Sequence, residues 1–338
     1  MPVLLADHTT LRLGGPAGAF VTAATETELV EAVAEREALI LGGGSNLVVA
    51  DAGLPGTVVK IATSGIDADA PDCGGVMVRV AAGESWDDFV AVAVERGWTG
   101  VEALSGIPGT VGATPIQNVG AYGQEVGQTI ARVRVWDRML RGFRTFTAEE
   151  CRFGYRTSRF KAAALDSGAG RQVVVDVTFQ LRPGTLSSPV AYAELARALG
   201  IEVGERAPLA EVRSAVLALR RSKGMVLDPE DHDTWSAGSF FTNPVVQLEQ
   251  VPAGAPSYPQ LDGTVKTSAA WLIEHAGFGK GYGHGSISLS TKHTLALTNR
   301  GGGTTEELLR LAREIRAGVA ARFGITLMNE PVLLGVTL

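Results

Sequence analysis

Five short segments carry residue types that can do chemistry. The first, Gly42-Gly43-Gly44-Ser45-Asn46, is a glycine run closed by two neutral donors. Successive backbone N–H groups in such a loop form a concave nest for an anion, and a pyrophosphate fits that description. The plain alternative is a β-turn. The loop lacks a Gly-Lys-Ser/Thr ending, so nucleotide hydrolysis is not indicated. The second segment, residues 105–123, contains Ser105, Ile107, Pro108, Gly109, Gly112, Gln117, Asn118, Gly120 and Tyr122. Two glycine-containing turns this close in sequence could clamp both sides of one dinucleotide, with Gln117 and Asn118 donating and accepting at a planar heterocycle. The alternative is a loop packed on its own domain.

The third segment runs from Cys151 to Lys161 and sets four cations beside aromatic residues. It reads either as a solvated basic strand or as an arginine fixed by aromatic packing and aimed at a carboxylate. The fourth places Ser239 before Phe240 and Phe241, a hydroxyl beside an apolar wall. It has no G-x-S-x-G elbow, so an acyl-transfer nucleophile is not indicated; Gly283-His284-Gly285-Ser286 is not that motif either and reads as a turn. The fifth is Glu330, a carboxylate in a neutral stretch, which is costly unless paired. It is either a salt-bridged strand residue or a catalytic group with a tuned pKa. Asp228, Glu230, Asp231, His232 and Asp233 match no metal-binding spacing and read as a solvated acidic loop. The other histidines show no zinc pattern, so no metal is expected.

These segments must be held by the elements around them. A helix is expected over 25–36, with Thr25 and Glu28 at capping-box spacing. Strands are expected over 38–41 and 47–49, then a turn over 53–56 and a strand over 57–61. This order of helix, strand, glycine loop and strand differs from a Rossmann loop, which opens a helix. A composition shift near 66–75 marks a domain boundary. A strand follows over 76–82, then a helix capped by Ser85 and Asp88 and running to Gly97, with Phe89, Val90, Ala93 and Val94 as its core face. Residues 100–127 carry only Glu102 and Glu125 as charges, which suits a packed loop and not a disordered linker. Strands over 130–137 and 173–181 flank the Cys151 segment. Helices over 191–199 and 208–223 stop at Gly200 and Gly224. A helix over 266–276, a strand or hairpin over 287–298, a helix over 305–323 ended by Gly324, and a terminal strand over 325–336 carrying Glu330 complete the chain. Strands and helices mix without strict alternation, which favours an α+β fold.

With 338 residues, two or three domains are expected. The 42 glycines are not periodic, so they imply tight turns or backbone close to a ligand. A net charge of −6 provides no field to collect nucleic acid. Two cysteines, Cys73 and Cys151, are no disulfide framework and fit a reducing compartment. The start of the chain does not read as a signal peptide, and no apolar run approaches the roughly 20 residues that cross a bilayer. A soluble, cytoplasmic protein without membrane insertion is expected.

Taken together and in order, the segments resemble the UDP-N-acetylenolpyruvoylglucosamine reductases over nearly the whole chain. GGGSN looks like that family's GxGSN flavin loop, and SGIPGTVGATPIQNVGAYGQE like its second flavin segment. CRFGYRTSRFK matches C-x-F-x-Y-R-x-S-x-F-K, SAGSFFTNP matches AGSFF-x-NP, and the terminal Glu330-Pro331 sits where the family has its glutamate. Thr242 stands where lysine is usual, and the loop over 224–235 is atypical.

The resemblance implies a PCMH-type, vanillyl-alcohol-oxidase-like FAD-binding fold in two subdomains, residues 1–66 with 331–338 and residues 67–222. It implies a smaller α+β substrate-binding domain over 223–330. It implies non-covalent FAD, NADPH as hydride donor, and UDP-N-acetylglucosamine enolpyruvate as the substrate, reduced to UDP-N-acetylmuramate for peptidoglycan synthesis by a monomer. Hydride would pass from flavin N5 to the vinyl carbon. Ser239 would deliver the proton, and Arg156 and Glu330 would stabilise the enolate, Glu330 donating either as a protonated acid or through water, with a raised pKa. Gly42 to Asn46 and the residues named in 105–123 would contact FAD. Tyr192, Lys223 and Asn243 would contact the substrate, and His275 would occupy another substrate-side position. The rivals are another FAD-dependent oxidoreductase of the same fold and a nucleotide-sugar binding protein without catalysis.

Overall fold

The computed structural model describes residues 2–34, 38–69, 75–163, 170–260 and 262–338. The end of the expected 25–36 helix, much of the 66–75 boundary and Cys73 lie outside the described residues. The chain divides into two units: residues 18–43 with 56–221, and residues 1–17 with 44–55 and 222–338.

The first unit is built on an antiparallel sheet in the order Gly142–Thr147, Ile130–Asp137, Gln172–Pro183, Val76–Ala81 and Ile66–Ala68. Its register lines up Phe146, Val133, Val177 and Val80 across four strands. All four are fully buried. β-branched and aromatic residues at such paired positions are what a pleated, covered face selects. The central strand, Gln172–Pro183, is buried over its first eight residues, so it reads VVVDVTF and does not alternate. The helix Trp86–Glu95 lies on it. Ser85 caps that helix by accepting the Asp88 N–H, and the buried stripe of Trp86, Phe89, Val90 and Ala93 faces the sheet. Phe89 stacks on Phe179 with centroids 4.9 Å apart. Truncating either ring should cost about 3–5 kcal/mol.

A smaller sheet, in the order Ala17–Ala23, Leu54–Ile61 and Leu39–Leu41, accompanies the helix Glu26–Ala34. The Thr25 hydroxyl accepts the Glu28 N–H at 3.2 Å, and the Glu28 carboxylate accepts the N–H groups of Thr25 and Ala24. The expected turn over 53–56 is shorter than its Pro and Gly suggested: strand begins at Leu54. The helices Ala193–Leu199 and Leu209–Ser222 share a third cluster with Val190 and Ala103.

The second unit is centred on the helix Thr305–Phe323. Thr304 and Glu307 form its capping box, and Gly324, at φ +69°, ends it. Leu308, Leu309, Ala312, Ile315 and Val319 are buried in one core with Leu272, Ile273, Ile287, Leu289 and Leu297. The expected helix over 266–276 starts late. Val265–Thr267 is a strand, and Ser268 caps Ala269–His275 by accepting the Trp271 N–H at 3.2 Å. The terminal stretch is strand only over Val332–Leu334, which pairs in parallel with Leu47–Val49. The architecture is α+β. Among the described residues no helix is long and apolar enough to cross a membrane.

Candidate active site

The glycine loop joins the two units. Gly42 and Gly43 belong to the first and Gly44, Ser45 and Asn46 to the second. In the first unit, a Cβ on Gly43 would stand 2.6 Å from the Gly109 Cα, and one on Gly42 would stand 2.5 Å from the Thr110 Oγ1. A Cβ on Gly112 would stand 2.5 Å from that of Ala82. The two glycine-rich segments therefore pack on each other at Gly43 and Gly109. Glycine is required there by backbone meeting backbone, before any ligand is considered.

Residues 105–123 are pinned to the helix Trp86–Glu95 and its approach. Trp86 Nε1 donates to the Leu104 carbonyl at 3.0 Å and the Gly106 N–H to Asp87 at 2.6 Å. The N–H groups of Val111 and Gly112 donate to Glu84 and Ala82, both at 2.9 Å. The Ser105 hydroxyl turns inward and donates to the Glu102 carbonyl at 2.7 Å. Ile107 and Pro108 are half-buried. Both carboxylates of this neutral stretch are engaged internally. Glu102, fully buried, accepts from the N–H groups of Gly100 and Ser188 and from Gln124 Nε2. Glu125 accepts from Asn118 Nδ2 at 2.7 Å. What remains is glycine backbone and neutral donors, a donor set that fits the anionic middle of a dinucleotide such as FAD. Gln117 is buried and Gly120 half-buried.

Asn118 has a structural task that its sequence position did not suggest. It is 1% exposed, at φ +44°. Besides Glu125, its Nδ2 donates to the Gly154 carbonyl at 3.2 Å, and its Oδ1 accepts the Gly127 N–H at 2.9 Å. The side chain braces the loops around it.

Arg156 sits in a two-residue turn closed by reciprocal backbone bonds between Gly154 and Thr157, at 3.1 and 3.2 Å. Its φ of +53° is left-handed, which costs a non-glycine residue about 1–2 kcal/mol. Its Nη2 donates to the Gly120 carbonyl at 3.3 Å. Ser158 Oγ donates to the Ile116 carbonyl at 2.7 Å and accepts the Lys161 N–H. The turn is thus moored to the second glycine-rich segment at Ile116, Asn118 and Gly120. Ser158 is not among the sequence-derived candidates, although a serine at the cap of the short helix Arg159–Ala162 was a readable signal. The flanking cations do not form a plainly solvated strand: Arg159 lies 4.1 Å over the buried Phe146 ring. Burial pushes the Cys151 thiol up to about 12, so it is no nucleophile.

Tyr192 is 47% exposed and meets Tyr122 edge-on, with centroids 5.6 Å apart. Tyr122 has φ +49°. The structure therefore brings Arg156, Gly120, Tyr122 and Tyr192 into one neighbourhood of the first unit.

In the second unit Ser239 lies between Gly238, at φ +72°, and the fully buried Phe240 and Phe241. Residues 240–242 run antiparallel to 328–330. The Glu330 N–H donates to the Phe240 carbonyl at 2.8 Å, Phe241 bridges Asn329, and the Thr242 N–H donates to Met328 at 3.0 Å. Pro331 has no N–H to continue this ladder. Two residues beyond Glu330, the Val332 N–H donates to the Asn46 carbonyl at 3.0 Å. Glu330 thus stands where the chain changes partner, from the Ser239 segment to the glycine loop.

The substrate-side candidates are dispersed. Asn243 Oδ1 accepts the Ala269 N–H at 2.9 Å, at the start of the helix Ala269–His275. His275 ends that helix, roughly 10 Å away by helical rise, stacked on Trp271 at 3.7 Å with Nδ1 against the Trp271 carbonyl. Lys223 is half-buried between the helix Leu209–Ser222 and Gly224. The acidic loop is solvated at Asp228, Glu230 and His232, as expected, but pinned at Asp231 and Asp233. Asp233 is buried, accepts the Thr291 N–H at 2.8 Å and pairs with Arg300 at 3.0 Å. Asp231 pairs with Lys292. Among the described residues no group of three His, Cys, Asp or Glu could hold a metal ion.

Comparison with known proteins places this geometry. Residues 17–139 match the FAD binding domain family, and residues 228–334 match the C-terminal domain family of UDP-N-acetylenolpyruvoylglucosamine reductase. The chain is 58% identical over 344 residues to UDP-N-acetylenolpyruvoylglucosamine reductase from Cutibacterium acnes, covering 99% of this chain and 90% of that one. It is 57% identical to that of Thermobifida fusca, covering 99% and 98%. The crystal structure of UDP-N-acetylenolpyruvylglucosamine reductase from Thermus caldophilus superposes with a TM-score of 0.68 at 27% identity, covering 99% of this chain and 98% of that one.

Proposed function

The chain belongs to the UDP-N-acetylenolpyruvoylglucosamine reductases, and from that premise we propose that it reduces UDP-N-acetylglucosamine enolpyruvate to UDP-N-acetylmuramate with NADPH. It is a flavin-dependent oxidoreductase with the FAD-binding fold. The observation that best supports the reading is the position of Glu330, whose neighbours bond both the Ser239 segment and the glycine loop.

What FAD supplies when bound is two-electron chemistry between NADPH and the enolpyruvyl double bond. Gly42 to Asn46 and residues 105–123 would hold it, through backbone N–H groups at the phosphates. Ser239 gives a proton to the carbon that bears the substrate carboxylate and recovers one from solvent. A hydroxyl is a weak acid, so its placement matters more than its acidity. Arg156 offers a fixed positive charge to the developing enolate, a kind of preorganised contact that supplies several kcal/mol. Its left-handed backbone and moorings suit that role, because strain of this kind is retained where the chain needs one geometry. Glu330 donates to the same enolate oxygens, either as a protonated acid or through a water.

Tyr192, exposed beside Tyr122, contacts the substrate, with Lys223 and Asn243 on its UDP part and His275 at another substrate-side position. Residues 1–66 with 331–338 and 67–222 serve as the FAD-binding subdomains and 223–330 as the substrate-binding domain. The protein works as a cytoplasmic monomer in peptidoglycan precursor synthesis.

The test is steady-state NADPH oxidation with product mass analysis. Oxidation that depends on the enolpyruvyl sugar, with a product heavier by two hydrogens, is expected. Oxidation without the sugar would favour another flavoenzyme of this fold, and sugar binding without turnover would favour a binding protein.

A further inference from the structure

The N-terminal segment touches two pieces of the machinery within the second unit. Gly44 is at φ +62°, and a Cβ there would stand 1.9 Å from the His8 carbonyl oxygen. Residues 8–10 therefore lie directly on the glycine loop. The Thr10 N–H donates to the Gly44 carbonyl at 3.2 Å. The Thr10 hydroxyl points the other way and donates to the Ser236 carbonyl at 2.6 Å. Ser236 Oγ in turn accepts the Gly238 N–H at 3.2 Å, immediately before Ser239. The chain of contacts is continuous: Gly44, Thr10, Ser236, Gly238, Ser239. Thr10 is 5% exposed, so water does not readily replace its hydroxyl in this bond.

We propose that Thr10 is a positioning residue for the reduction, setting the register between the glycine loop and the serine that delivers the proton. The assignment rests on the function proposed above. On the far side Ser239 is already fixed, since the Phe240 N–H donates to Leu295 at 2.7 Å and the Phe240 carbonyl accepts from Glu330. On the near side the turn through Gly238 is held to the glycine loop by way of Thr10. Thr10 does not touch substrate in this scheme. It acts through Ser236.

Thr9 is the natural control. It is equally buried, at 4% exposure, but its hydroxyl makes a local bond to the Leu13 carbonyl at 2.9 Å. Holoenzyme carrying Thr10→Val, Thr10→Ser or Thr9→Val would be compared with wild type in two measurements. The first is anaerobic stopped-flow, separating flavin reduction by NADPH from reoxidation by the enolpyruvyl UDP-sugar. For Thr10→Val, reduction near the wild-type rate and reoxidation slowed roughly ten- to a hundredfold are expected, the scale of a small misplacement of a reacting group. Thr10→Ser should restore reoxidation, and Thr9→Val should leave it unchanged. The second is amide hydrogen exchange without turnover, where Thr10→Val, and not Thr9→Val, should speed exchange over residues 236–240. If Thr10→Val does not fold, Thr10→Ala removes the same hydroxyl in a smaller side chain. Unchanged reoxidation and exchange in the hydroxyl-free variant overturns the proposal, as does equal slowing by Thr9→Val or a failed serine rescue. A wild-type flavin that the sugar does not reoxidise overturns the underlying reading, and the proposal with it.

Discussion

Arg156 and Ser239 are held in opposite ways. Arg156 stands in a turn with a left-handed backbone. It is moored through the side chains of Asn118, Ser158 and Arg156 itself to carbonyls and loops around it. Ser239 is held by backbone: a short ladder to 328–330, a bond to Leu295, and two fully buried phenylalanines beside it. A group fixed by side-chain bonds can be loosened by single substitutions around it. A group fixed by a ladder and buried rings offers few such points of attack, and the Thr10 hydroxyl on its near side is one. The first arrangement aims a long, flexible guanidinium, and the second suits a short hydroxyl whose position follows its backbone.

Substitutions at the two sites sharpen that contrast. Ser239→Ala should give the largest effect, slowing the substrate half-reaction by roughly 10²–10⁴-fold, the range of acid–base contributions. Flavin reduction by NADPH and the unfolding midpoint should not move. A lowered midpoint would mean the hydroxyl, and not the ladder, holds the segment. Arg156→Gly should cost roughly 10²–10³-fold in kcat while leaving stability unchanged or raising it by up to about 1 kcal/mol, because glycine accepts the left-handed conformation. A clear loss in denaturant titration would show that the moorings outweigh the strain. Ser158→Ala is expected to lower stability by about 1 kcal/mol and kcat less than Arg156→Gly does, since it frees one mooring and one cap.

The smallest effect is a pH dependence within the first unit, at Asp87. Asp87 receives the Gly106 N–H and both arms of Arg213, at 2.6 and 3.0 Å. Burial alone would raise its pKa, but these bonds outweigh it and hold the carboxyl below its usual value. A depressed carboxyl stabilises the fold above its unfolded pKa, near 4, and that stability is lost as pH falls through the folded value. Thermal midpoints should therefore stay flat from pH 7 to about 5 and fall below about 4. Asp87→Asn should flatten part of that acid limb. An identical limb in the variant would remove Asp87 from the explanation.

Features set by neighbours in sequence were readable. Thr25 with Glu28, and the helix started by Ser85, follow from capping chemistry within a few residues. The strands expected over 76–82, 130–137 and 173–181 follow from their local apolar runs and appear as Val76–Ala81, Ile130–Asp137 and Gln172–Pro183. Features set by distant partners were not. The stretch 325–336 reads as one strand, yet it changes partner at Pro331, because one half meets Phe240–Thr242 and the other meets Leu47–Val49. Lys266 reads as helix and is strand because Val245 lies opposite it. Gly42, Gly43 and Gly112 were readable as places of close approach, but not the protein groups that they meet, Thr110, Gly109 and Ala82. Asn118 was readable as a hydrogen-bonding group, but not its brace to Gly127 and Gly154, which lie farther along the chain. Asp233 suggested a solvated loop because Thr291 and Arg300, which bury and pair it, lie far along the chain. The candidate residues themselves were found by type and motif. What they are held to, Ile116 by way of Ser158 and Ser236 by way of Thr10, became visible only once the chain was folded.

The most direct test is the visible spectrum of the holoenzyme, followed anaerobically as NADPH and then the enolpyruvyl UDP-sugar are added. Bleaching of the flavin band by NADPH and its return on adding the sugar are expected. A flavin that bleaches and stays reduced in the presence of the sugar would contradict the proposed reduction.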